Sequence, residues 1–288
     1  MDQRLADLLH LMELEQLEVN LFRGESRDIG SPQVFGGQVL GQALVAASRT
    51  VVDRQCHSLH AYFLRPGDFS APIVYNVDRS RDGKSFTSRR VVAIQHGEQI
   101  FHMSASFQVE EVGVEHEAPM PAVEAPELIP DLDAYAKQCP EAIPPFAQRF
   151  FDKPRPFEFR PLQLPNFLDP TPRPPRKAVW FKAVDVIPSA DPVLQRCLLA
   201  YVSDYNLLDT AVMPHGADGL RMQMASIDHA VWFHRPFRVD EWMLYATDSP
   251  SASGARGLSR GSIYTRDGRL VASTAQEGLM RVREAPKP

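Results

Sequence analysis

Apolar residues recur at helical spacing in three segments of the chain. The first predicts an N-terminal amphipathic helix marked by Leu5, Leu8, Leu9 and Met12. A second helix opens at Gly36-Gly37, and a third spans 191–208, where Asp191 can act as the N-cap and Pro192 takes the first helical position. Elsewhere apolar and polar residues alternate with a period of two, which is typical of half-buried strands. The strands are predicted near 17–23, 57–65, 73–80, 86–95 and 99–109, and again near 178–187, 222–234, 240–248, 256–265 and 269–282.

The order of these elements repeats after about 170 residues, a spacing far longer than the ~20–50 residues of solenoid repeats. Residues 58–66 (SLHAYFLRP) match residues 227–236 (IDHAVWFHRP), with one extra residue in the second copy. Each copy follows a helix and precedes strands that end in small residues, at 103–107 and at 272–276. A duplicated domain explains this repeat. One long helix against an antiparallel sheet, formed twice, predicts an α+β fold.

Proline separates the two halves. Of the 25 prolines, 17 lie between Pro119 and Pro192. Because proline removes a backbone donor and fixes φ, this stretch cannot form a regular sheet or a long helix. We therefore predict a mostly irregular connection over 112–177, with a short helix near 132–138. This connection joins an N-terminal domain of residues 1–111 to a C-terminal domain of residues 178–288.

Composition and charge exclude several classes of protein. With 44% hydrophobic and 23% charged residues, the chain of 288 residues has the composition of a globular protein. A net charge of −5 provides no basic field for nucleic acid, and no apolar run approaches the ~18 residues of a membrane span. The cysteines at 56, 139 and 197 form no Cys-x-x-Cys pair, which indicates free thiols in a reducing compartment.

The sequence lacks the motifs of several common enzyme classes. It has no Gly-x-Ser-x-Gly elbow, no Walker loop and no dinucleotide fingerprint. The histidines on predicted strands have no carboxylates at metal-ligand spacing, so packing or hydrogen bonding is the better interpretation for His57, His60, His229 and His234. We therefore expect neither a cofactor nor a metal ion.

Asp204 is the most unusual residue of the predicted core. It follows Tyr201 by three residues and precedes Leu208 by four, which places it within or at the margin of the apolar stripe of the third helix. Burying a carboxylate is costly unless it is hydrogen-bonded or used in chemistry. The alternative is a carboxylate at the edge of the stripe that caps a neighbouring loop. Because residues 29–52, which hold the matching helix, contain no Asp or Glu, we predict one active centre per chain.

Gln276 and Ser226 are two further candidates. Gln276 lies on the apolar face of strand 269–282, where a buried amide needs partners, although it could simply tie two strands together. Ser226 lies at a strand start and could make a strand-end hydrogen bond. A carboxylate, a hydroxyl and an amide together suit general-base hydrolysis, in which the carboxylate takes a proton from water and the other two orient that water. The helix N-terminus at Gly36-Gly37 could supply N–H donors for an oxyanion.

A basic run over residues 78–90 holds five basic residues in thirteen. A solvated hairpin is one interpretation, and a docking site for an anionic group such as a nucleotide phosphate is the other. Arg256 and Arg260 occupy the comparable stretch of the second half.

Five segments, distributed over nearly the whole chain, together resemble the acyl-CoA thioesterase II family. They are 35–38 (FGGQ), 203–206 (SDYN), 226–229 (SIDH), 232–236 (WFHRP) and 273–278 (STAQEG). The resemblance implies a double hotdog fold, in which each half wraps a sheet around a long helix. It also implies hydrolysis of fatty acyl-CoA to free fatty acid and CoA, a reaction of lipid metabolism.

The resemblance extends to individual residues. The family uses an aspartate, a serine or threonine, and a glutamine to orient and activate the attacking water, and these correspond here to Asp204, Ser226 and Gln276. Several members have threonine at the serine position, which keeps the hydroxyl and adds a methyl group that restricts the rotamer. The family also implies a homo-oligomer, a dimer or a tetramer. Because Pro286-Lys287-Pro288 is not a peroxisomal signal, we expect a cytoplasmic location.

Two other functions are open at this point. A hotdog hydratase or dehydratase would act on the acyl chain, through a base beside Cα or Cβ, rather than on the thioester. A non-catalytic acyl-CoA-binding module would bind the same ligand without releasing a thiol. A passive apolar tunnel gains nothing from a buried acid, so Asp204 and Gln276 argue against the binding module.

Overall fold

The computed structural model describes residues 1–216 and 222–283. The C-terminal tripeptide Pro286-Lys287-Pro288 lies outside these residues. The α-helices are α1 (Gln3–Leu11), α2 (Gly36–Ser48), α3 (Leu132–Gln138), α4 (Pro145–Phe151) and α5 (Pro192–Ser203), and short 3-10 helices span Pro126–Leu128, Pro140–Ala142 and Leu208–His215.

The strands of the described residues form one antiparallel sheet. They are β1 (Glu15–Glu18), β2 (Leu21–Gly24), β3 (Gln55–Phe63), β4 (Ile73–Asp82), β5 (Phe86–Gln95), β6 (Glu98–Gln108), β7 (Phe157–Pro161), β8 (Arg176–Ala183), β9 (Met222–Ser226), β10 (Asp228–Phe233), β11 (Met243–Ser253), β12 (Arg256–Thr265) and β13 (Leu270–Val282). Their order is β1-β2-β4-β5-β6-β3-β10-β13-β12-β11-β8-β7, with β9 paired to β13 off this path. The two halves therefore join where β3 pairs with β10.

Each half contributes one long helix to the core. Helix α2 packs against α5 and against β4, β5 and β6 of its own half. Both helices are buried on most sides, so the polar residues in them need internal partners. Gln42 of α2 has them: its Nε2 donates to the carbonyl oxygens of Leu11 and Glu25, and its Oε1 accepts from the Tyr75 hydroxyl. One long helix per half, packed with a continuous antiparallel sheet, confirms the predicted α+β fold of two repeated halves.

The two copies of the repeat align one residue differently from their letters. The N–H group of Leu64 donates to the carbonyl oxygen of Ile100 in the first half. The N–H group of His234 donates to the carbonyl oxygen of Val271 at the same point of the second half, so Leu64 and His234 are equivalent. Counting back along each strand, His229 corresponds to Leu59, and His60 is not its counterpart. A shift of one residue moves a side chain to the other face of the sheet. His60 accordingly is exposed and meets the Trp232 ring edge-on at 5.1 Å, whereas His229 is buried.

The third helix is shorter than the sequence predicts. It ends at Ser203 rather than at 208, and Asp204 is its C-cap. Asn206 follows with a φ of 63°, in the left-handed region where asparagine is tolerated and a helix cannot continue. The chain then forms the 3-10 helix from Leu208. Asp204 therefore lies just past the end of the helix, where its side chain is not confined to the helical stripe.

Two predicted strands are interrupted. The prediction near 17–23 corresponds to a hairpin of β1 and β2. The prediction over 222–234 corresponds to β9 and β10, which separate at Ile227. The Ile227 N–H donates to Glu277 in β13, and its carbonyl accepts from Phe63 at the end of β3. This break lets β9 and β10 both border β13 while only β10 borders β3.

The proline-rich connection is mostly irregular, and α3 lies at residues 132–138 as predicted. One strand was not predicted there: β7 pairs with β8 and forms the edge of the sheet, where a terminal proline is tolerated. The division into domains of residues 1–111 and 178–288 stays a prediction, since the sheet continues without a break from one half to the other.

Candidate active site

The amide of Gln276 brings the three predicted site residues together. Its Nε2 donates to Asp204 Oδ1 at 2.7 Å and lies 3.1 Å from Ser226 Oγ. The three side chains come from the end of α5, the last residue of β9 and the middle of β13. A carboxylate, a hydroxyl and a carboxamide thus share one small region of the core.

Local structure explains why each side chain points to this place. Gln276 follows the two-residue period of β13, so it faces the core together with Ala272 and Thr274. Ser226 pairs with Gly278 of the same strand, two residues beyond Gln276. Asp204 comes from a helix and not from the sheet, as the C-cap one residue past the end of α5.

The carboxylate of Asp204 is held between the two halves of the chain. Its side chain is 6% exposed. While Oδ1 accepts from Gln276, Oδ2 faces the start of α2: a methyl carbon placed on Gly36 would lie only 2.7 Å from it. The first turn of a helix has N–H groups with no acceptor within the helix, and it carries a partial positive charge. The first half therefore contributes the N-terminus of α2 to a site whose polar side chains come from the second half.

Aromatic rings pack at the start of α2, the helix that this carboxylate faces. The ring of Phe35, the N-cap residue of α2, lies 5.2 Å from that of Tyr201 and 4.4 Å from that of Tyr205. The two tyrosine hydroxyls are 3.2 Å apart, and burial raises the pKa of Tyr201 to about 12 and that of Tyr205 well above its usual range. Both phenols are therefore neutral. With water largely excluded, charges and hydrogen bonds at Asp204 act more strongly than they would in solvent.

His229 is a fourth polar residue in the site, and sequence analysis did not include it. Its Nδ1 lies 3.1 Å from Gln276 Nε2 and 3.7 Å from Asp204 Oδ1, and its Nε2 lies 2.9 Å from Ser203 Oγ. The predicted role of His229 in packing or hydrogen bonding fits its hydrogen-bond distances to Gln276 and Ser203. The alternation in β10, where His229, Val231 and Phe233 face inward, was the signal that could have placed it here.

Burial lowers the pKa of His229, and Asp204 and Asp228 oppose this shift only in part. Between the lowered pKa and the ordinary value of about 6.5, the unfolded chain binds a proton that the folded chain does not. The stabilisation by neutral His229 is thus fully present above pH ~6.5 and is lost as the pH falls toward the folded pKa.

We therefore expect the free energy of unfolding to decrease between about pH 7.5 and pH 5.5, and to decrease less in the His229→Leu variant. Denaturant unfolding of both proteins at the two pH values measures this difference. Equal decreases in the two proteins would contradict the assignment to His229.

The basic hairpin contains a structural residue. Arg89 is 2% exposed, and its guanidinium donates to Thr50 and to Asp82. Its hydrogen-bond donors are therefore used inside the protein, and Arg89 is not available to bind an anionic ligand. In the second half, Arg256 pairs with Glu277 and Arg260 with Asp248. A role of the hairpin in binding an anionic group stays a prediction.

Other chemistry in the described residues is limited. Residues 1–216 and 222–283 contain no group of three His, Cys, Asp or Glu side chains that could hold a metal ion. None of the helices in these ranges is long and apolar enough to cross a membrane. The three cysteines are free thiols, and burial raises the pKa of Cys56 to about 12 and that of Cys197 above its usual range. Those two thiols are therefore poor nucleophiles.

Two family models match the chain. The model described as acyl-CoA thioesterase matches residues 146–279, and the model described as the acyl-CoA thioesterase N-terminal domain matches residues 23–108. Acyl-CoA thioesterase 2 of Haemophilus influenzae is 45% identical over 287 residues, which cover 99% of this chain and 100% of that protein. The two models together follow the two halves of the chain.

Solved structures resemble the whole fold. An acyl-CoA thioesterase II, TesB2, from Mycobacterium marinum matches with a TM-score of 0.80 and 44% identity, covering 98% of this chain and 100% of the other. A hot dog fold protein from Alicyclobacillus acidocaldarius matches with a TM-score of 0.75 at 19% identity, over 96% of this chain and 98% of the other. These likenesses confirm the double hotdog fold and the resemblance on which that prediction rested.

Proposed function

The chain belongs to the acyl-CoA thioesterase family and is a thioester hydrolase that cleaves fatty acyl-CoA to free fatty acid and CoA, and we propose that Asp204, Ser226 and Gln276 carry out this cleavage. The observation that carries the proposal is the amide of Gln276, which contacts both the carboxylate and the hydroxyl. Side chains of Asp, Ser and Gln from three distant parts of the chain meet at one amide nitrogen. Together they supply the base and the orienting groups that activation of a water molecule needs.

The proposed reaction begins with a water molecule beside Asp204. Oδ2 of the carboxylate removes a proton from this water while the water oxygen attacks the thioester carbonyl carbon. The carbonyl oxygen becomes an oxyanion, for which the N–H groups of Gly36 and Gly37 at the N-terminus of α2 are the nearest candidate donors. Collapse of the tetrahedral intermediate breaks the carbon–sulfur bond. The proton on Asp204 then passes to the departing thiolate, which restores the carboxylate and releases CoA.

The other two residues orient the base and the water. By donating to Oδ1, Gln276 leaves Oδ2 directed toward α2, where the attack takes place. Ser226 Oγ lies 3.1 Å from the same amide nitrogen, whose second N–H it shares with His229 Nδ1, so the hydroxyl lies beside the carboxylate and can hold the water. A general base that is positioned in this way contributes about 10²–10⁴-fold to the rate.

The first half lacks this set of residues. When the two halves are aligned, Leu59 is the counterpart of His229 and Ala105 is the counterpart of Gln276. The C-cap of α2 is Arg49, whereas the C-cap of α5 is Asp204. The first half thus has two apolar residues and a cation in place of an imidazole, an amide and a carboxylate. This supports one active centre per chain.

A thiol-release assay over acyl-CoA substrates of increasing chain length tests the reaction, and an enoyl-CoA substrate separates it from the alternatives. Release of free thiol is the expected result. Loss of the enoyl absorbance without thiol would indicate a hydratase. Saturable binding with neither change would indicate a non-catalytic binding module.

Ser226 is expected to act through its hydroxyl alone. We predict that Ser226→Ala lowers kcat about tenfold, the effect of losing one hydrogen bond of ~1.4 kcal/mol, and that Ser226→Thr keeps most of the activity. Steady-state kinetics on one acyl-CoA measure both variants. Equal losses in the alanine and threonine variants would show that the hydroxyl is not what matters at this position.

We also propose that the protein acts in the cytoplasm as a homo-oligomer. Free thiols on all three cysteines are consistent with a reducing compartment. Light scattering coupled to size-exclusion chromatography measures the mass against the 32.3 kDa of one chain. A mass of one chain would contradict the oligomer.

A further inference from the structure

His229 links the amide of Gln276 to the backbone of α5 through a chain of hydrogen bonds. Ser203 Oγ donates to the carbonyl oxygen of Ala200 at 2.9 Å. The carbonyl can only accept, so the single hydroxyl proton of Ser203 is used there. Ser203 Oγ must then accept from His229 Nε2, which lies 2.9 Å away.

This chain fixes the tautomer of the imidazole. With its proton on Nε2, neutral His229 has a lone pair on Nδ1, and Nδ1 can only accept. The atom of Gln276 that lies 3.1 Å from Nδ1 must therefore be the donor Nε2 and not the carbonyl oxygen. His229 thus selects one of the two orientations of the Gln276 carboxamide.

The carboxylate holds this orientation less strongly during part of the reaction. Ionised Asp204 accepts from Gln276 Nε2, but in the proposed mechanism Asp204 carries a proton after the attack, and its hold on the amide weakens. An amide held only by Asp204 would then turn by about 180° more easily. The Nδ1 lone pair of His229 is unaffected by this proton transfer, because the Ser203–Ala200 hydrogen bond fixes it.

We propose that His229 is a positioning residue that keeps the Gln276 amide in one orientation while Asp204 gains and loses its proton. The inference rests on the proposed function of Asp204, Ser226 and Gln276. It gives His229 no direct part in the proton transfer. The equivalent residue of the first half, Leu59, shows that this strand position also accepts an apolar side chain.

Two amide substitutions at position 229 separate the contacts of the ring. In His229→Asn the side-chain oxygen lies near the place of Nδ1 and can still accept from Gln276. In His229→Gln the longer side chain reaches toward the place of Nε2 and Ser203 instead. We expect kcat to stay within about threefold of the wild type in His229→Asn and to fall about tenfold in His229→Gln and His229→Leu, with KM changed less than about twofold.

A double-mutant cycle tests whether His229 acts through Gln276. Because the effect passes through that amide, His229→Leu should lower kcat about tenfold in the wild type and less than about twofold in the Gln276→Ala background. Circular dichroism and thermal unfolding show whether each variant is folded. Should His229→Leu fail to fold, the asparagine and glutamine variants decide the question.

Several results would overturn the inference. Equal losses in both backgrounds, or a glutamine variant as active as the asparagine variant, would indicate a merely structural role. A loss of activity in Gln276→Ala with none in His229→Leu would overturn this inference and leave the proposed function intact. Full activity in Gln276→Ala would overturn the proposed role of Gln276, and this inference with it.

Discussion

We expect the Asp204→Asn variant to keep its fold and to lose about 10²–10⁴-fold of its kcat for acyl-CoA hydrolysis. Asparagine has almost the same shape as aspartate, and its side-chain oxygen can still accept the hydrogen bond from Gln276 Nε2. The variant therefore preserves the contact that organises the site. What it loses is the oxygen that can take a proton from water. Thiol release under saturating acyl-CoA measures the effect.

Glu277→Gln is the matched control for this prediction. It also replaces a carboxylate with an amide, one residue from Gln276, but Glu277 points to the opposite face of β13 and pairs with Arg256. An exposed pair of this kind contributes only about 0–1 kcal/mol, so activity should hardly change. Near-normal turnover in Asp204→Asn would remove Asp204 as the base. An equal loss in both variants would show that the site responds to charge in general.

Most of the fold was predictable because the hydrophobic pattern encodes it directly. The two-residue period of β13 gave the buried face of that strand, and the helical spacing gave α1 and the opening of α2. The errors occur where one residue breaks a pattern that otherwise continues. Asn206 stops α5 although apolar residues continue at helical spacing as far as 208, and Ile227 divides one apparent strand into two.

The residues of the site were predictable from the sequence, but the contacts between their atoms were not. Asp204 and Gln276 stand out as polar residues on apolar faces, Ser226 stands at a strand start, and a family resemblance links the three. No local pattern states that Gln276 Nε2 is the atom that joins the other two, or that Oδ2 of Asp204 faces α2. Those facts depend on how β13 and two helices pack. His229 was assigned to packing or hydrogen bonding because it has no carboxylate at metal-ligand spacing, and the alternation in β10 that turns it inward was not used.

The close approach of α2 to Asp204 leads to the second large effect, in the Gly36→Ala variant. The added methyl carbon would lie 2.7 Å from Asp204 Oδ2 and 2.9 Å from a ring carbon of Phe63, closer than such atoms can approach. The carboxylate or the start of α2 must therefore move, and a misplacement of about 1 Å can cost about 10²-fold in rate. We expect kcat to fall by about that factor, while overpacking lowers the free energy of unfolding by about 1–3 kcal/mol.

Gly41→Ala, in the same helix, is the matched control. Its methyl carbon would lie 3.1 Å from the Cys197 carbonyl oxygen and 3.2 Å from the flexible end of Met12, so small adjustments accommodate it away from Asp204. Thiol release and denaturant unfolding compare the two variants. If Gly36→Ala acts by displacing the carboxylate, it should add little to the loss already caused by Asp204→Asn, because neither protein then has a positioned base. A full additional loss in that background would instead place the effect on the N–H groups of α2, and normal activity in Gly36→Ala would contradict a reaction site between Asp204 and this helix.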